Sequence, residues 1–110
     1  MQVLNIFSDI PLDLSEESFE DIIKGSTFRL ERIISMGHAT PEGKWYDQDL
    51  DEWVMVVKGR AMLRFEGEST AITLGPGDHI LIPAHKKHRV EETSGQEETI
   101  WLALHFRKGY

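Results

Sequence analysis

The sequence predicts an all-β domain, a small antiparallel barrel or sandwich preceded by one short N-terminal helix. Three observations carry that expectation. Short segments rich in β-branched and aromatic residues recur between residues 27 and 106. Turn-forming clusters separate them every 8 to 12 residues or so, the spacing of sandwiches and barrels. Only one stretch, ahead of them, carries a helical stripe.

That stretch is residues 12–25. Ser15 is a candidate N-cap, Glu16 and Glu17 fall in the first turn, where the helix dipole favours negative charge, and Gly25 is a stop. Phe19, Ile22 and Ile23 stand at i, i+3 and i+4 and form one apolar stripe. The strand candidates follow: 27–36, 53–57, 61–65, 71–74, 79–83 and 99–106. Between them lie Pro41-Glu42-Gly43, Lys58-Gly59-Arg60, Glu66-Gly67-Glu68, Gly75-Pro76-Gly77-Asp78 and Ser94-Gly95-Gln96, all turn chemistry. With no repeat, linker or low-complexity segment, the expected organisation is one domain over 1–110, with an N-terminal segment and helix over 1–26 and a barrel over 28–106.

Composition narrows the functions. A net charge of −7 argues against a nucleic-acid partner, which needs a basic field. Lys86, Lys87 and Arg89 form a short basic patch that reads as a solvated loop rather than a phosphate site. No apolar run approaches the roughly 20 residues of a membrane span, and the first residues show no secretory pattern. The absence of cysteine excludes thiolate chemistry and suits a cytoplasmic protein.

Two segments carry candidate chemistry. In 45–59, strand alternation puts Tyr46, Gln48, Leu50, Glu52, Val54 and Val56 on one face, polar at one end and apolar at the other. A solvated face would not continue as valines, so this is an inward face that is dry below and polar near an opening. In 75–92, the Gly75–Asp78 turn leads into a strand that Pro83 interrupts. An extended chain beyond it points His88 and Val90 together and leaves His85 on a loop or the opposite face.

These segments resemble the two motifs of the cupin superfamily. Glu52 and Gly59 match the first; Gly77, Pro83 and His88 match the second, and the intervening AMLRFEG also resembles that family. The resemblance covers about residues 28–106 and implies a cupin-type antiparallel barrel of jelly-roll form. Metal-binding cupins carry two histidines where this chain has Tyr46 and Gln48, and His85 and Glu92 replace a glycine and an asparagine of the second motif. The resemblance therefore leaves open a divalent ion (Zn, Mn, Fe or Ni) held by Gln48, Glu52 and His88, with His38, His85 and His105 as compensating donors.

The expected function is a small-molecule-binding barrel, either a metal-dependent enzyme of dioxygenase, isomerase or lyase type or a non-catalytic binding or sensor module. Tyr46 and His85 are the candidate acid–base residues; Tyr46, Gln48, Trp53, Trp101 and His105 are the candidate ligand contacts. A homodimer is expected, because open sheets expose edges that must be covered, with Val3–Phe7 as the candidate contact.

Overall fold

The computed structural model describes residues 1–107. Eight strands build it: β1 (Ser18–Lys24), β2 (Phe28–Ser35), β3 (Asp51–Lys58), β4 (Ala61–Phe65), β5 (Ile72–Leu74), β6 (His79–Ile82), β7 (His88–Thr93) and β8 (Thr99–Phe106). They form two antiparallel sheets facing one another, a five-stranded sheet in the order β1-β2-β8-β3-β6 and a three-stranded one in the order β5-β4-β7.

The expected N-terminal helix is absent, and the described residues contain no helix. Residues 18–24 instead pair with β2 from Ser18↔Ile34 to Lys24↔Arg29. A lone helix this short has little stability of its own, whereas the ladder with β2 satisfies the backbone at once. The register shifts between Asp21 and Ile23, which leaves Ile22 as an extra residue. Such a bulge breaks the period of two. It therefore places the three apolar residues at a spacing that reads as helical. Ser15, the expected N-cap, has its own N–H bound by Asp13 Oδ1 at 2.9 Å.

Ahead of β1, the chain crosses the outer side of the larger sheet. There the buried Arg32 guanidinium donates to the carbonyl oxygens of Ile6 (3.0 Å), Ser8 (2.6 Å) and Asp9 (3.2 Å) and to Glu20 Oε1. His38 reinforces this segment: Nε2 donates to Ser15 O at 3.2 Å, and Nδ1 accepts from the N–H of Met36. Val3–Phe7, the expected dimer contact, contains no strand.

The core between the sheets comprises Val54, Val56, Ala61, Leu63, Phe65, Leu74, Ile82, Trp101 and Ala103. Alternation along β3 aims Glu52, Val54 and Val56 inward, the polar residue at the open end and the valines toward the dry floor. Loop 40–46 is stitched beside β7. Thr40 N–H donates to Val90 O (2.9 Å), and Tyr46 exchanges two backbone hydrogen bonds with His88 (2.7 and 3.1 Å).

Candidate functional site

A cavity of about 380 Å³ lies between the sheets, in the lower part of the range for small-molecule sites (about 300–1,000 Å³). The first sheet supplies Arg29, Glu31 and Ile33 from β2, Glu52 and Val54 from β3, and Trp101 and His105 from β8. The facing sheet supplies Leu63, His88 and Val90, while Tyr46 and Gln48 reach in from the segment before β3.

Two carboxylate–imidazole pairs occupy the polar end. His88 donates Nδ1–H to Lys86 O at 2.9 Å, which turns Nε2 toward Glu52 Oε1, 3.5 Å away. Gln48 Nε2 donates to the same Glu52 oxygen at 2.9 Å. In the second pair, His105 Nε2 donates to Glu31 Oε1 at 2.8 Å. Both pairs are buried, and Glu52 and His105 are cross-strand partners, so the pairs stand side by side.

Their environment sets their charge. Burial pushes the Glu52 carboxyl up, but His88, His105 and Gln48 outweigh it and hold the group below its ordinary value. Burial likewise disfavours the His88 imidazolium, yet Glu52 and the Lys86 carbonyl raise it above its ordinary value. The couple thus leans toward carboxylate and imidazolium, a base beside an acid. Tyr46 stands at the mouth, 43% exposed. Burial, then Glu17 and Glu52, raise its phenol above the ordinary value.

The remaining candidates divide. Trp101 lines the cavity and donates Nε1–H to Ser35 Oγ at 3.2 Å. Trp53 does not: it is on the other face of β3, its Nε1–H on His79 Nδ1 at 3.2 Å. His85 is also outside. Its backbone is left-handed (φ 64°), and its exposed ring meets Asp47 Oδ1 at 2.9 Å. With Nδ1 and Nε2 on Asp47 and Asp49 (3.7 Å), it acts as a brace for the loop that carries Gln48. Glu17, Arg29 and Glu31 are cavity residues that sequence reasoning passed over. The available signal was the alternation that puts Arg29 and Glu31 on one strand face with Ile33, two charges beside an apolar residue.

The separation of Glu52 and His88 suits a shared ion with bonds of about 2.0–2.2 Å. Beyond these two, Gln48 offers only a neutral amide, and Tyr46 is shifted away from the phenolate that a metal would need. Among the described residues, no three His, Cys, Asp or Glu side chains are grouped to hold a metal ion. The residues do not fit a tightly held ion.

The fold and this cavity define a cupin, and comparison with known families agrees: the cupin domain family matches residues 34–105. The chain belongs to the cupin family. It is similar to a candidate mannose-6-phosphate isomerase from Ralstonia eutropha JMP134, with 42% identity over 98% of this chain and 100% of that one and a TM-score of 0.93. A cupin superfamily protein from Desulfitobacterium hafniense DCB-2 shares the fold at 16% identity (90% and 84% covered, TM-score 0.73). So does a polyketide cyclase from Streptomyces resistomycificus at 18% identity (86% and 67% covered, TM-score 0.71). A search of curated proteins returned no match.

Proposed function

We propose that this cupin binds a sugar-sized, hydroxyl-bearing molecule in its barrel and moves a proton on it, the chemistry of an aldose–ketose isomerase. The observation that carries the reading is the pair of carboxylate–imidazole couples on one cavity. The likeness to the Ralstonia eutropha protein supports the reaction class, isomerisation of a sugar, and not the choice between a free sugar and its phosphate ester.

Such a reaction transfers hydrogen between neighbouring carbons. Glu52, held as carboxylate, takes the proton from C2 while the His88 imidazolium protonates the oxygen on C1, giving an enediol. Glu52 then returns its proton to C1, and the hydroxyl on C2 gives its proton back to the imidazole. Protons balance, and no oxidant is consumed. Gln48 orients the base through its hydrogen bond to Glu52 Oε1, and Tyr46 at the mouth stays a neutral phenol able to bond a ligand hydroxyl.

D-Mannose incubated with the protein in D2O should acquire deuterium at C2, followed by proton NMR. Glu52→Gln should slow the exchange by roughly 100-fold or more, the scale of a lost general base. Binding without exchange would favour the second reading, a non-catalytic binding module. The specific observation on that side is Tyr46 and Gln48 in place of the two motif histidines.

We further propose a cytoplasmic homodimer. No helix among the described residues is long and apolar enough to cross a membrane, and the chain lacks cysteine. β1 is a free sheet edge, and Phe19 and Ile23 on it are exposed, as are Val3, Leu4 and Phe7 ahead of it. Sedimentation at micromolar concentration should give twice the chain mass; a monomer would remove this part of the reading.

A further inference from the structure

The charge on the cavity wall narrows the ligand class. Glu17, Glu31 and Glu52 line the cavity with one arginine, Arg29, and the His88 imidazolium offsets Glu52 alone. That arginine is already compensated: its Nε lies 3.7 Å from Asp21 Oδ1 and 3.8 Å from Glu31 Oε2. The same Nε is buried and has no hydrogen-bond partner among the described residues. Glu17 is fixed where it stands. Ser35 Oγ donates to Glu17 Oε2, and Trp101 Nε1–H donates in turn to Ser35 Oγ. Trp101 and Glu17 both line the cavity, so this relay holds a carboxylate on its wall. The basic side chains Lys86 and Lys87 are not among the lining residues.

We propose that the cavity accepts an uncharged, hydroxyl-bearing ligand and rejects its phosphate ester, with Glu17 as a residue that enforces the choice. The inference rests on the reading of the cavity as a sugar site and goes beyond it. A phosphate there would bring nearly two negative charges into a partly desolvated space walled by carboxylates. Like charges in such a space cost more than in bulk water. Hydroxyl groups, by contrast, find acceptors in the three carboxylates and a donor in the outer guanidinium N–H groups of Arg29.

The test is calorimetric titration of wild type, Glu17→Gln and Arg29→Ala with D-mannose and with D-mannose 6-phosphate. Wild type should bind the free sugar more tightly by roughly tenfold or more, and added salt should narrow the gap. Glu17→Gln should shrink the ratio of the two affinities by roughly threefold or more, since one wall charge is gone and the side-chain shape is kept. The phosphate ester binding wild type as tightly as the free sugar, or losing affinity selectively in Arg29→Ala, would overturn the inference and leave the sugar site standing. An unchanged ratio in Glu17→Gln would remove Glu17 from the role. Binding of neither compound would overturn the inference together with the sugar-site reading beneath it.

Discussion

Replacing Gln48 by histidine should convert a weak divalent-metal site into a strong one, with Zn²⁺ affinity rising at least about tenfold, or about 1.4 kcal/mol. The expectation follows from two distances and a deficit. The Gln48 side-chain nitrogen lies 2.9 Å from Glu52 Oε1, and His88 Nε2 lies 3.5 Å from the same oxygen. One carboxylate and one imidazole are therefore gathered around one point, and the third position is filled by a neutral amide. Catalytic zinc sites use three protein ligands, most often with histidine among them. His88→Ala in the Gln48→His background should undo the gain, because it removes one of the two imidazoles. Titration of Zn²⁺, Mn²⁺ and Ni²⁺ against the three proteins checks this; equal weak affinities throughout would mean that the side chains do not converge as described.

Gly59→Ala should be among the most destabilising single-methyl additions available in this chain. Gly59 turns β3 into β4 at φ 89°, a conformation that costs a side-chain-bearing residue roughly 1–2 kcal/mol. A Cβ there would also lie 2.7 Å from Thr99 Cα and 2.9 Å from the Glu98 carbonyl oxygen, backbone that cannot swing aside. Forced overpacking adds roughly 1–3 kcal/mol. The sum, about 2–5 kcal/mol, implies a fall in Tm of roughly 10 °C or more. Gly43→Ala is the control, since φ is 79° but nothing lies within 4 Å of the added carbon. It should lose only the backbone contribution. Equal losses in the two variants would refute the steric part of the argument. This contact also explains physically why the first cupin motif ends on glycine here: the turn runs against the start of β8.

The legible parts of the site were those that depend on alternation within one strand. Glu52, Val54 and Val56 share a face because every second residue of a strand does, and the change from polar to apolar along them marks which face is inward. The same parity sets His88 beside Val90 and leaves His85 to the turn before them. The illegible parts depend on pairing between strands distant in sequence. Glu31 meets His105 only because β2 lies against β8 with Arg29 opposite His105, a register that no local pattern announces. β1 was misread for a related reason. Its bulge at Ile22 erases the period of two, so a strand carries apolar residues at helical spacing. Trp53, a candidate ligand contact by sequence, has the parity opposite to Glu52 and Val54 and lies on the outer face with His79.

The central claim is that ligand binding occurs between the two carboxylate–imidazole pairs, and the five histidines of the chain can report on it separately. Two-dimensional NMR of the imidazole rings during titration with D-mannose reads them all at once. The signals of His88 and His105, which line the cavity, should shift together and saturate with one affinity. Those of His38, His79 and His85, outside it, should stay in place. Shifts confined to His79 or His85, with His88 and His105 unmoved, would put the site on the surface and contradict the account.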